Sequence, residues 1–110
     1  MLQERCSADG NARILVHPPD GLTHHVVAIY LENCRKGVPA LKAAMARFDF
    51  DFIGVYGHRM KGCGAAYGFP FLTETGAAME QAAHVQNRDE IRNCAAAIEA
   101  HLESVEVAEL

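Results

Sequence analysis

The chain lacks any apolar run near the roughly 18 residues of a membrane span, so no spanning helix is expected. Its first sixteen residues, MLQERCSADGNARILV, mix charged and small polar side chains and lack the continuous apolar stretch of a secretory signal. A cytoplasmic protein is the resulting expectation. The four cysteines, Cys6, Cys34, Cys63 and Cys94, form no CxxC pair, and the histidines show no HxxxH spacing. That disfavours a zinc site and a disulfide framework, and leaves reduced, mostly buried thiols. Basic residues are scattered and outnumbered, ten against fourteen acidic, for a net charge of −4. A nucleic-acid partner is therefore disfavoured, because such binding rests on neutralising phosphates. Strand-like alternation, internal repeats and low-complexity segments are also missing.

What remains is a chain of 110 residues, half of them apolar, which suits one domain with a single core. Residues 1–20 contain Asp9-Gly10 and Pro18-Pro19-Asp20-Gly21 and read as an extended tail, with a short strand-like piece at Ile14 to Val16. The domain proper is expected at 21–107. From Leu22 the apolar residues take up a helical rhythm through Val27, Tyr30, Leu31, Cys34, Val38, Leu41, Met45 and Phe48. Gly37 and Pro39 interrupt this stripe, and a kink or break is expected there, since proline removes a helical hydrogen bond and clashes with the preceding turn. Asp49 can cap a further helix running to about Tyr67, with Gly68 as its left-handed stop. Pro70 suits the first turn of the next, with Leu72, Met79 and Ala83 inward. Asn87 with Glu90 resembles a capping box ahead of a stripe of Ile91, Cys94, Ile98, Leu102 and Val105. Short connections force neighbouring helices to run antiparallel. The expected fold is all-α, an up-and-down four-helix bundle.

Sorting the helix after Asp49 by face, at about 100° per residue, gathers Ile53, Tyr56, Met60, Cys63 and Tyr67 into a core stripe. The opposite face carries Asp51, Gly54, His58, Lys61, Gly62 and Ala65. His58 is thus expected to meet solvent at mid-helix, with Gly54, Gly62 and Ala65 too small to cover it and Lys61 one turn away. A neutral imidazole nitrogen is a nucleophile near neutral pH and can attack phosphorus, and the Lys61 ammonium can neutralise part of the phosphoryl charge. Four glycines in one helix cost about 1 kcal/mol each relative to alanine, which a purely structural helix has little reason to bear. Gly62 and Gly64 can alternatively serve close packing, and Arg59 can flank the site or cover the core edge. No Walker A pattern and no neighbouring acidic cluster supply a phosphoryl donor or magnesium. His24, His25 and His17 read as ordinary surface groups, and His84 and His101 as solvated residues near helix ends.

The run His58-Arg59-Met60-Lys61-Gly62-Cys63-Gly64-Ala65-Ala66-Tyr67-Gly68-Phe69 resembles the signature of histidine-containing phosphotransfer domains, H-x-x-K-G followed by small residues. The segments Tyr30-Leu31-Glu32-Asn33-Cys34-Arg35 and Met79-Glu80-Gln81-Ala82-Ala83 resemble the same family. The resemblance implies that His58 accepts a phosphoryl group, that Lys61 stabilises it, and that Gly62 clears the approach of a receiver domain. It further implies a phosphocarrier without catalysis of its own, whose partners are response-regulator receivers and a histidine or hybrid kinase, with magnesium held by the receiver. Two other readings fit the residues less well. One is a phosphate-independent module that binds a kinase or regulator, and the other is a small metal-binding or redox bundle. The Val26, Ile29 and Tyr30 cluster can serve the core, the docking surface or both, and Tyr67 and Phe69 are expected to close the end of the bundle.

Overall fold

The computed structural model describes residues 14–107. The Asp9-Gly10 turn and Cys6 lie outside the described residues. Strand β1 (Ile14–Val16) leads to helices α1 (His24–Ala46) and α2 (Phe50–Cys63), a 3-10 turn (Ala65–Tyr67), helices α3 (Pro70–His84) and α4 (Arg88–Ser104), and strand β2 (Val105–Val107). The four helices form the expected all-α bundle.

Each helix begins where the sequence offers a suitable residue. Thr23 Oγ1 accepts from the Val26 N–H at 3.2 Å, Asp49 Oδ1 from Phe52 at 3.1 Å, and Asn87 Oδ1 from Glu90 at 3.1 Å. Each bond satisfies one of the first-turn donors that a helix leaves open, typically for about 1 kcal/mol. Pro70 occupies the first turn of α3, and Gly68 adopts φ +96°, the left-handed conformation expected of it. The Asn87 capping box is only half formed. The Glu90 carboxylate takes the Cys94 thiol at 3.8 Å instead of the Asn87 N–H, which donates to Ala82 O at 2.8 Å. α1 runs unbroken through Pro39, so the interruption is a kink and not a break.

The core is built from Val27, Leu31 and Leu41 of α1, Ile53 and Met60 of α2, Leu72 and Met79 of α3, and Ile91, Ile98 and Leu102 of α4, all buried. Phe69 is buried with them, and Tyr67 stacks on Tyr30 with ring centroids 4.2 Å apart, which closes one end of the bundle. Four expectations need correction. Phe48 leaves the helical stripe: it sits in the α1–α2 connection at φ +58° and is exposed. The helix expected to reach Tyr67 tightens after Cys63 into the 3-10 turn, where the Ala65 N–H donates to Thr73 Oγ1 at 2.7 Å. Cys63 is exposed, because the inward line of α2 runs through Ile53, Gly57, Met60 and Gly64. Val105 leaves the last helix for β2, which pairs in parallel with β1 from the other end of the described sequence.

Gly57 marks a close approach of α2 and α3. A Cβ there would lie 2.7 Å from Gly76 O and from the Glu80 N–H nitrogen on α3; one on Gly76 would lie 2.7 Å from Gly57 O and from the Lys61 nitrogen. Only two glycines facing each other let the backbones meet this closely.

His101 differs from the solvated histidine expected near a helix end. Its ring packs against Phe71 at 4.6 Å, its buried Nε2 has no hydrogen-bond partner, and burial lowers its pKa below the ordinary 6.5. The unfolded chain therefore takes a proton here at a pH where the folded one does not. The contribution of His101 is complete above about pH 6.5 and is lost as pH falls from there toward the folded-state value. Urea midpoints at about pH 7.5 and about pH 5.5 should converge in His101→Leu relative to the unsubstituted chain.

Candidate functional site

The Gly57–Gly76 contact decides what stands next to His58. One residue past Gly57 on α2 is His58, and one turn past Gly76 on α3 is Glu80. With the two backbones touching, the Glu80 side chain reaches across to α2. Its Oε2 lies 3.0 Å from His58 Nδ1, and its Oε1 lies 2.7 Å from Lys61 Nζ. One carboxylate thus holds both groups that the sequence singles out.

The site is open. The His58 side chain is 66% exposed, against 42% for Lys61 and 35% for Glu80. An open depression of about 410 Å³ borders the imidazole, lined by Asp51, Gly54, Val55, Glu80, Ala83 and His84. The Lys61 ammonium, and behind it the His58 imidazole, hold the Glu80 carboxyl below its ordinary range, so it is ionised at neutral pH. An ionised carboxylate beside Nδ1 favours the tautomer in which Nδ1 carries the hydrogen and donates it. Nε2 is then left with a free lone pair.

The remaining residues fall into place around this triad. A Cβ on Gly62 would meet nothing within 4 Å, so no intramolecular packing demands glycine there. Gly64 is the opposite case: a Cβ would lie 2.7 Å from the Thr73 nitrogen and 2.9 Å from Phe69 O, and its role is packing. Gly54 is half-buried and faces Ala83, where an added methyl would make an ordinary 3.7 Å contact. Ala65 is exposed, on the 3-10 turn beyond the end of α2. Arg59 lines a separate cleft between α1 and α2, away from the His58 depression. Val26 and Ile29 on α1 and Phe52 and Val55 on α2 are exposed apolar residues, whereas Tyr30 is half-buried against the core. That divides the Val26, Ile29 and Tyr30 cluster between surface and interior.

Glu80 is the residue that sequence reasoning missed. It lies 22 positions from His58, outside the motif, and no helical spacing connects the two. The one available signal was its place in the Met79-to-Ala83 segment that resembles the phosphotransfer family. Among the described residues no group of three or more histidine, cysteine, aspartate or glutamate side chains is placed to hold a metal ion. Among them, too, no helix is long and apolar enough to cross a membrane.

Comparison with known proteins places the chain in a family. A family model described as Hpt domain matches residues 25–108, which is most of the chain. Neither curated proteins nor solved structures give a match.

Proposed function

The chain belongs to the Hpt domain family, the histidine phosphotransfer domains of two-component systems, and from that premise we propose that it is a phosphorelay intermediate that carries a phosphoryl group on Nε2 of His58. The observation that supports this most is the Glu80 bridge, which fixes the tautomer and frees one defined nitrogen of an exposed imidazole. In the step we envisage, the Nε2 lone pair attacks the phosphorus of a receiver's aspartyl phosphate. The N–P bond forms as the P–O bond to the aspartate breaks, and the aspartate leaves as a free carboxylate. Nδ1 keeps its hydrogen throughout, so no proton needs to move. The reverse step hands the group to a second receiver. Magnesium belongs to the receiver, and this chain contributes no cofactor and no catalytic group beyond its own nucleophile and charges.

Domain and docking follow from the same reading. Residues 21–107 form the phosphotransfer domain, with 1–20 as its tail. A receiver settles over His58 with Gly62, Gly54 and Ala65 leaving it room, and the exposed Val26, Ile29, Phe52 and Val55 give it an apolar footing. Lys61 turns from Glu80 to the phosphoryl oxygens, a charge-assisted contact that strengthens only once the group has arrived. Arg59 flanks the footing from the α1–α2 cleft. The donor is a receiver phosphorylated by a histidine or hybrid kinase, and the setting is the cytoplasm.

The test is transfer itself. A phosphorylated receiver should label the protein, the label should be acid-labile and alkali-stable, and phosphorus NMR should report the Nε2 isomer. Docking without any label would replace this reading with that of a phosphate-independent module.

Glu80 acts here as a positioning residue. Glu80→Ala should slow phosphoryl transfer by on the order of 10- to 100-fold, the usual cost of a misplaced reacting group, while receiver affinity stays nearly unchanged. Glu80→Gln, which can still accept from Nδ1–H, should recover most of the rate. Single-turnover transfer over a range of receiver concentrations separates the two effects, and equal losses in both variants would show that charge and not orientation matters.

A further inference from the structure

We propose that Cys34 and Cys63 are an oxidant-responsive pair that closes to a disulfide across the α1–α2 cleft and thereby slows docking at the His58 face. Both thiols line the same cleft of about 370 Å³, together with Tyr30, Tyr56, Arg59 and Met60. Two contacts, one from α1 to the 3-10 turn that follows α2 and one from α1 to α2 itself, bracket them. On one side Tyr30 stacks on Tyr67 at 4.2 Å, and on the other a Cβ at Gly37 would sit 3.7 Å from the Tyr56 ring. Cys34 lies between Tyr30 and Gly37, and Cys63 lies between Tyr56 and Tyr67. The antiparallel register therefore leaves the two cysteines facing each other, close enough that the charge of Cys63 bears on the ionisation of Cys34.

The pair is asymmetric in a way that suits stepwise oxidation. Cys63 is exposed and can meet a solute, whereas Cys34 is half-buried beside Tyr30 in the cleft. Burial also pushes the Cys34 thiol up, so it is the poorer first nucleophile. With a hydroperoxide as oxidant, the Cys63 thiolate attacks the terminal peroxide oxygen, giving a sulfenic acid and releasing an alcohol, or water from hydrogen peroxide. The Cys34 sulfur then attacks the Cys63 sulfur, the S–O bond breaks, and the hydroxyl leaves as water with the Cys34 proton. Two thiols lose two electrons in all and the peroxide gains them.

The consequence for docking rests on the phosphocarrier reading. Val55 and Arg59 rim this cleft, on either side of His58 in sequence. A bond between the helices fixes the width of the cleft, because a disulfide holds Cα atoms at roughly 4.4–6.8 Å. The bridge also closes a loop of about 30 residues, which should raise the thermal midpoint by at least about 5 °C.

The experiment treats the full chain, carrying Cys6→Ser and Cys94→Ala, with hydrogen peroxide. Intact mass should fall by about 2 Da, peptide mapping should join Cys34 to Cys63, and dithiothreitol should restore both thiols. Cys63→Ser, at an exposed position, should abolish the change without a folding defect, and the unsubstituted chain mapped in parallel guards against loss of fold from the background substitutions. Transfer from a phosphorylated receiver should be at least threefold slower in the oxidised form. Oxidation that stops at Cys63 sulfinic acid or yields only intermolecular dimers, or a disulfide that leaves transfer unchanged, overturns the proposal. A reduced protein that never accepts phosphoryl overturns the carrier reading instead, while the mass and mapping results still judge the thiol pair.

Discussion

His58→Gln should abolish phosphoryl labelling, by at least about 10³-fold, while leaving the fold intact. The magnitude follows from what is removed: the carrier's only chemical contribution is a covalent bond to Nε2, and His84, which lines the same depression, is not among the groups that Glu80 holds in place. Lys61 is cationic and hydrogen-bonded at 2.7 Å to Glu80, and Cys63 lies on the α1 side of the helix, lining the other cleft. The fold should survive because the imidazole is 66% exposed and its bond to Glu80 joins two solvated groups, so the change belongs with surface substitutions worth less than about 0.5 kcal/mol. Urea unfolding and receiver binding report the fold and the docking face, and radiolabel transfer reports the chemistry. Labelling that persists in a folded His58→Gln protein would move the phosphoryl acceptor elsewhere.

The site was legible in the sequence to the extent that it is local. His58, Lys61 and Gly62 share one helix, so the periodicity after Asp49 places His58 and Lys61 outward without knowledge of any partner helix. Helix ends were legible for the same reason, since Asp49, Asn87, Pro70 and Gly68 act on their own first or last turns. What escaped the sequence depends on distant pairs. Glu80 reaches His58 only because Gly57 and Gly76 bring α2 and α3 together, and a glycine carries no hydrophobic weight by which its burial could be read. The same blindness put Cys63 in the core: with Gly57 and Gly64 scored as neutral, the apolar residues pointed to a stripe rotated away from the true one. Val105 continues the helical stripe of α4 in the sequence, because Val-Glu-Val shows its strand character only when Ile14–Val16 lies alongside, some 90 residues earlier. The position of His101 near a helix end points to solvent, whereas Phe69 and Phe71, at the start of the neighbouring α3, pack against its ring.

Two glycine-to-alanine changes five residues apart on α2 should move in opposite directions. At Gly62 the added methyl meets open space, so the intrinsic preference of a helix for alanine decides, and stability should rise by up to about 1 kcal/mol. At Gly57 the same preference is outweighed. The methyl would stand 2.7 Å from a carbonyl oxygen and a peptide nitrogen of α3, backbone atoms that cannot rotate aside, and the helices must part by close to an ångström. Overpacking of this kind costs about 1–3 kcal/mol, and separation also loosens Ile53, Met60, Leu72 and Met79 along the same contact. Gly57→Ala should therefore lower the urea midpoint, with a net loss of up to about 2 kcal/mol once the alanine preference of about 1 kcal/mol is subtracted. Function should divide along another line. Gly57→Ala, where it stays folded, carries Glu80 away from Nδ1 and should slow transfer as Glu80→Ala does, with receiver affinity kept. Gly62→Ala leaves the Glu80 bridge untouched but puts a methyl where the receiver approaches, so its defect should appear in affinity while the chemical step at saturation is preserved. If Gly62→Ala is stabilised and docks with unchanged affinity, glycine at that position is not there to clear a partner.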